Sequence, residues 1–300
     1  MPKYFVLAIP FFSIAAVSDS FVDVVVNVAS AAAVPEPFAC STASLLAVDT
    51  STERLSLALC HRGQLWRHES AGGAQASNTL IPAIFALLAD AGVALDALDA
   101  LVFGRGPGSF SGLRTAASVV QGLALGARRG AGLPVLPLGT LMAVAEEARG
   151  LAFSEASPAL ASAPVLAAWP LTIAAVLDAR RGEVYQQTFV FDKGVDATVS
   201  CRALDVCTLV RFADWQLPAG CALVAGNALA LVAAQMPNGT RQIAAWPTAA
   251  ALLRLAPAFI AASGCVDAAA ALPVYVRDKV AQTTDERMAA KKAQAALTEG

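Results

Sequence analysis

The residues able to do chemistry sit in short, glycine-punctuated turns. Leu101-Val-Phe-Gly-Arg-Gly-Pro-Gly-Ser-Phe-Ser-Gly-Leu-Arg114 joins an apolar run to a helical pattern through Gly104, Gly106, Pro107, Gly108 and Gly112. Glycines let backbone N–H groups approach a ligand closely, and the helix start beyond them offers unpaired donors and a positive dipole end. Such a loop can cradle phosphate with Ser109 and Ser111 adding hydroxyls, or be a structural loop in which Ser111 caps the helix. Asp49-Thr50-Ser51-Thr52 ends another apolar run, Leu45–Val48. A carboxylate there can hold Mg²⁺ through water while the hydroxyls meet phosphate. The turn lacks a glycine that would bring its backbone to a phosphate, however, and a hydrogen-bonded Asx or ST turn between strands is the favoured reading. Asp178-Ala-Arg-Arg-Gly182 is the matching turn further on, and Gly226-Asn227 leaves a short apolar run where it can approach a base or ribose. Asp49, Thr50, Asp178 and Gly226 are therefore the candidate cofactor contacts, each weak by itself.

Other reaction classes find little support. His61 and His68 are the only histidines, seven residues apart on strand-like segments, and cannot form the i, i+4 helical pair of zinc hydrolases. Ser109 and Ser111 have no histidine nearby to activate them, and Cys60 points to the opposite sheet face from His61. No catalytic or metal-ligating residue is assigned. The six cysteines are scattered without a C-x-x-C spacing and read as buried thiols of a reducing compartment. A formal net charge of −2 gives no electrostatic footprint for nucleic acid. The composition is 57% hydrophobic with 15% charged residues, and the mean hydropathy is +0.59. Much of that excess is alanine, which fills helix interiors without making a membrane span.

These turns need a scaffold, and the chain repeats one. Leu45–Gly63 and Ile173–Gly194 each begin with an apolar run, turn at an Asp, and resume as a strand ending in a basic residue and glycine. Val184, Gln186, Thr188 and Val190 alternate with Tyr185, Gln187, Phe189 and Phe191, the period of a strand. The first copy continues with a strand over Gln64–Glu69, a helix over Thr79–Ala91 stopped at Gly92, strand Leu101–Phe103 and a helix to Ala127. Strand Val135–Leu138 and a helix over Thr140–Ala148 complete it. The second continues with strand Ala222–Ala225, helices over Ala228–Gln235 and Ala249–Ala262, and a last element at Pro273–Arg277. Strands first, then alternating helix and strand, predict an α/β fold with mixed sheets flanked by helices. The expected division is an extension over 1–44, a first domain over 45–150, a linker over 151–171, a second domain over 172–277 and a polar tail over 278–300.

The extension carries Lys3, an apolar run from Tyr4 to Val17, and Asp19 and Asp23. It reads as a weak secretory signal, as a native extension, or as reading frame upstream of a later start; Pro10 and the two aspartates make it a poor membrane span. The two helices of the first half are apolar on more than one side. Leu80, Ile84, Leu87, Leu88 and Ala91 form one face, with Ile81 and Phe85 on a second. On the next helix Leu113, Ala116, Ala117, Val119, Val120 and Leu123 nearly close the circumference, and Gly122 and Gly126 lie one turn apart. Helices like these are fully buried or meet another protein. Ile81, Phe85, Leu88, Leu113, Ala116, Val119, Val120 and Leu123 form the candidate partner surface.

Four motifs in order resemble the TsaB (YeaZ) family: L-A-V-D-T-S-T at Leu46–Thr52, G-R-G-P-G-S-F-S-G-L-R at Gly104–Arg114, D-A-R-R-G-E-V-Y at Asp178–Tyr185, and P-V-Y-V-R at Pro273–Arg277. Q-G-L-A-L-G at Gln121–Gly126 extends the second. The resemblance implies two tandem ribonuclease-H-like domains of the actin-like ATPase type and a cytoplasmic chain without catalysis or a required cofactor of its own. It further implies pairing through the first domain's helices with a TsaD homologue, which transfers threonylcarbamoyl to adenosine 37 of certain tRNAs. The ATPase TsaE joins that assembly, ATP lies at a partner interface, tRNA is met only through the complex, and a homodimer is the alternative pairing. Many relatives carry a histidine ahead of the segment reading Leu80-Ile81-Pro82; Ala76 and Ser77 stand in that region here. The rival reading is an autonomous Mg-ATP-dependent kinase or ATPase using Asp49 and Asp178.

Overall fold

The computed structural model describes residues 36–37, 43–153, 169–194, 199–221 and 223–277. Most of the 1–44 extension, the centre of the expected linker and the 278–300 tail lie outside the described residues. All described residues belong to one compact unit spanning 33–300.

The first sheet holds β1 (Glu36–Pro37), β2 (Leu45–Asp49), β3 (Arg54–His61), β4 (Gln64–Ala71), β5 (Ala100–Gly104) and β6 (Val135–Leu138), in the order β1-β4-β3-β2-β5-β6. β2, β3 and β4 are antiparallel, while β5 and β6 join parallel to β2. The second sheet repeats the plan with β7 (Leu171–Arg180), β8 (Glu183–Lys193), β9 (Val199–Ala203), β10 (Thr208–Arg211), β11 (Leu223–Gly226) and β12 (Gln242–Ala244). Its order is β10-β8-β7-β11-β12, with β9 also on β8, and β11 and β12 again run parallel to β7. The echo in the sequence is thus a structural repeat. Strands β9, β10 and β12 escaped the sequence reading because each is short and half-exposed, with no run of apolar alternation.

Both sheets are covered on both faces. α1 (Ala76–Asp90) and α2 (Phe110–Gly126) pack on one face of the first sheet, over Leu46, Val48, Leu57, Leu101 and Phe103. The alternate residues Leu45, Ala47, Val102 and Leu136 meet α5 (Ala249–Ser263) on the other face. The second sheet packs Ile173, Ala175, Leu177 and Phe189 against α3 (Thr140–Ala152), and Ala174, Val176 and Val224 against α4 (Leu229–Val232) and Trp215. Each fully buried Leu or Phe contributes about 1.5–3 kcal/mol. The chain therefore exchanges helices between sheets. α3 follows the first sheet in sequence but packs on the second, and α5 follows the second but packs on the first.

A charged cluster pins the exchanged helices. Glu146 on α3 is buried and takes hydrogen bonds from Arg149 and from Arg254 of α5, each at 2.7 Å. Arg254 also reaches Glu147 at 2.7 Å, and the α5 cap Thr248 donates to Glu147 at 2.7 Å. α1 begins at Ala76, ahead of the expected Thr79, and Pro82 lies inside the helix. The missing donor at Pro82 is tolerated because Asn78 and Pro82 are both exposed, so water can meet the carbonyl left free.

Candidate functional site

The four motifs converge on one cleft of about 350 Å³ between the two hairpin-led sheets. Ser51, Thr52 and Glu53 line it from the first turn, Gly108 and Ser109 from the glycine loop, Phe110 and Leu113 from the start of α2, and Asp178–Arg181 with Tyr185 from the second hairpin. Gly73, Leu177, Asn227 and Val274–Arg277 complete the wall. Of the candidate cofactor contacts, Asp178 lines this cleft. Asp49, Thr50 and Gly226 are buried behind it.

The glycine loop explains why. Its backbone lies directly on the first turn: Ser109 N donates to Ser51 O at 2.7 Å, and Thr50 Oγ1 donates to Gly112 O at 2.7 Å. A Cβ on Gly108 would fall 2.4 Å from Ser51 O, and one on Gly112 would fall 1.9 Å from Thr50 O. These glycines permit contact with the chain's own turn, not with a phosphate. Ser109, rather than the expected Ser111, caps α2, accepting from Gly112 N at 3.5 Å.

Asp49 is sealed under this contact at 1% exposure. Its Oδ1 accepts from Ser51 N at 2.9 Å and Ser51 Oγ at 2.6 Å, the geometry of an Asx turn. Oδ2 has no hydrogen-bond partner among the described residues, and Gly104 leaves the space it occupies: a Cβ there would lie 1.9 Å from it. Burial raises the Asp49 pKa to about 6, only partly offset by the bonds from Ser51. An enclosed carboxylate behind the wall cannot contact a ligand in the cleft. Among the described residues no cluster of three His, Cys, Asp or Glu side chains is placed to hold a metal ion.

The second turn is open. Asp178 accepts from Arg180 N at 2.7 Å and pairs with the Arg180 guanidinium at 3.0 Å, while its own N–H donates to Asn227 Oδ1 at 2.9 Å. Arg180, Arg181 and Gly182 all take positive φ, at 63°, 57° and 81°. Arg180 also approaches Glu53 of the first turn at 3.9 Å across the cleft mouth. Burial pushes the Glu53 pKa up, but the Trp246 indole donating at 3.0 Å, with Arg180 and Arg54, outweighs it and holds the carboxyl below its usual value. Gly226 has φ 145° and packs on β7, where a Cβ would lie 1.7 Å from Val176 O, so it is a backbone contact rather than a ligand contact.

Glu53, Phe110, Tyr275 and Arg277 are wall residues that the sequence reading did not single out. The signal available was their position inside the quoted motifs or just after one. The histidines lie apart from the cleft: His61 Nδ1 bonds Ser44 Oγ at 2.7 Å, and His68 is on β4 opposite Leu57. Burial raises the pKa of Cys201, of Cys207 (to about 12) and of Cys221 (to about 11), so these thiols are not primed nucleophiles.

The candidate partner surface divides. Leu88, Ala116 and Val120 are buried in the first core and are core residues rather than surface, because the inward faces of α1 and α2 both lie on the sheet; Leu113 is buried at the start of α2 against the glycine loop, in the cleft wall. Val119 and Leu123 are half-buried, packed against that core. Ile81 at 44% and Phe85 at 48% stand exposed, joined by Leu125 at 60%. Ser118, Gly122 and Gly126 are small exposed residues further along α2.

Fold and site together define an α/β protein of the actin-like type, two ribonuclease-H-like sheets in tandem with helices on both faces and one motif-lined cleft. The family described as TsaD: tRNA N6-adenosine threonylcarbamoyltransferase matches residues 68–300. The structure of YeaZ from Pseudomonas aeruginosa is similar with a TM-score of 0.62 at 34% identity, over 78% of this chain and 99% of that one. The chain is 39% identical over 150 residues to the tRNA threonylcarbamoyladenosine biosynthesis protein TsaB of Haemophilus influenzae. It is 33% identical over 153 residues to the protein of that name from Escherichia coli. Each of these matches covers 50% of this chain, and it spans about half the length of these curated relatives, 55% and 56%. The chain belongs to the TsaB (YeaZ) family.

Proposed function

We propose that this chain is a non-catalytic subunit of tRNA N6-threonylcarbamoyladenosine biosynthesis that pairs with a TsaD homologue. The relatives' names supply the pathway. The observation that carries the pairing is the outer faces of α1 and α2, where Ile81 and Phe85 are exposed on the first helix and Leu125, with the small residues Ser118, Gly122 and Gly126, on the second. Large apolar side chains flanked by small ones let a second helical pair approach closely while burying aromatic area. The sealed first turn favours a non-catalytic role, since the carboxylate that would hold Mg²⁺ faces Gly104 and not the cleft. In this reading ATP and TsaE act at partner surfaces, tRNA is met through the complex, and the chain works in the cytoplasm. Among the described residues no helix is long and apolar enough to cross a membrane.

The test is size-exclusion chromatography and pull-down of the full chain with the TsaD homologue of the same cell, alongside Phe85→Glu and Leu125→Glu. A stoichiometric complex weakened at least ten-fold by either charge, with an unchanged melting temperature, is the expected result. No complex, together with Mg-ATP hydrolysis by the isolated chain that Asp178→Asn abolishes, overturns it in favour of an autonomous enzyme.

A further inference from the structure

The stretch from Val266 to Arg277 runs along one flank of α2 and ends on the other sheet. Val266 bridges β6 at Val135, and Ala268 and Ala271 sit in the first core beside α2. Gln121 of α2 donates to Ala271 O at 3.3 Å. Val274 N donates to Arg105 O of the glycine loop at 2.7 Å. Tyr275 then lies with its ring centroid 5.1 Å from that of Phe110, and its hydroxyl accepts from Arg114 Nε at 3.3 Å. Two residues on, Arg277 crosses to the second hairpin, donating to Ala179 O at 3.0 Å and pairing with Glu183 at 2.5 Å.

We infer that Val266–Arg277 is a strap that couples the second hairpin to the first turn of α2 across the cleft. Its two ends grip elements of different sheets, and only Val276 separates Tyr275 from Arg277. An extended residue spans about 3.3–3.6 Å, so a link this short has no slack to absorb relative motion. A second tie across the mouth, Glu53 to Arg180, is a 3.9 Å pair between side chains 52% and 73% exposed, which contributes little in water, and the Trp246 bond to Glu53 reaches neither α2 nor the second hairpin. Opening of the cleft must therefore pull on Phe110 and Arg114, and a load on the start of α2 must be felt at Ala179–Glu183. This coupling goes beyond the proposed pairing and stands without it, because both ends lie within the chain.

Hydrogen exchange on the full chain tests it through reciprocity. Tyr275→Ala releases the α2 end and is expected to speed exchange at the amides of 179–183, at the opposite end of the strap. Arg277→Met releases the hairpin end and is expected to speed exchange at 110–114. Each change should be roughly three- to ten-fold, the effect of one ordinary hydrogen bond on a local opening equilibrium. Tyr275→Phe keeps the ring and loses the bond to Arg114, so it should give the smaller part of the Tyr275→Ala effect. If Tyr275→Ala fails to fold, the other two variants carry the same readout. Effects confined to the end that was cut, in variants that melt as the parent does, would overturn the strap.

Discussion

The first and second turns of this repeat hold an Asp at the same place, and their fates diverge. Asp49 ends β2 and is sealed by a glycine loop; Asp178, near the end of β7, lines the cleft beside Arg180 and Asn227. Each sheet also ends its fifth strand in a glycine forced by close approach: Gly104 of β5 on the Asp49 carboxylate, Gly226 of β11 on the Val176 carbonyl. What differs is the segment that follows. After Gly104 comes a long glycine loop that lies back on residues 50–51; after Gly226 come Asn227 and a short helix. One loop turned a would-be phosphate site into a packing contact, while its counterpart stayed an open wall.

The largest effect is expected where the obstacle is backbone. Gly226→Ala meets Val176 O at 1.7 Å and must also hold φ 145°, so urea unfolding should show a loss of about 3 kcal/mol or more. A loss under about 1 kcal/mol would mean that this end of the second sheet is looser than its counterpart.

Asp49 comes next. Its folded-state pKa of about 6 lies above the ordinary 3.8, so the folded protein binds the proton more tightly than the unfolded chain. Stability is then highest below pH 3.8 for this group, falls as pH rises from 3.8 to about 6, and carries the full penalty above that. A rise of this size corresponds to about 3 kcal/mol as an upper scale. Asp49→Asn should flatten that slope and stabilise the protein at neutral pH, measured by urea melts at about pH 4, 5.5 and 7. Destabilisation at neutral pH with the slope intact would show that the ionised carboxylate is wanted where it is.

Gly104→Ala separates the two glycines. Its obstacle is a side chain, so a cost of about 2 kcal/mol in the parent should largely vanish in an Asp49→Ala background. Additive costs would place the strain elsewhere. The smallest effect belongs to the open turn: Asp178→Asn loses a partly exposed pair with Arg180 and should shift stability by less than about 1 kcal/mol. A loss as large as that of Gly226→Ala would mean that Asp178 also organises its sheet.

Much of this was legible along the chain. Alternation in Val184–Phe191 and the apolar runs at Leu45–Val48 and Leu101–Phe103 marked buried strands, because side chains of period two must face two cores. Gly92 marked the end of α1 through its φ of 65°. The four motifs marked the residues that meet at the cleft. Periodicity could not say which side of an apolar helix is covered by its own fold, which is why Leu88, Leu113, Ala116 and Val120 joined Ile81 and Phe85 in one candidate surface.

The sequence by itself determined the repeated α/β plan, the family and the turn chemistry, because those depend on local period, special dihedrals and short contiguous motifs. Tertiary structure alone decided which sheet each helix covers, that Asp49 is closed off while Asp178 is open, and that Tyr275 and Arg277 reach residues on different sheets. An amphipathic helix states that it needs a partner without stating which one, so α3 and α5 could exchange sheets with no trace in their patterns. A glycine likewise marks a close approach without naming what approaches; here it was Thr50, Ser51 and Asp49 of the chain itself.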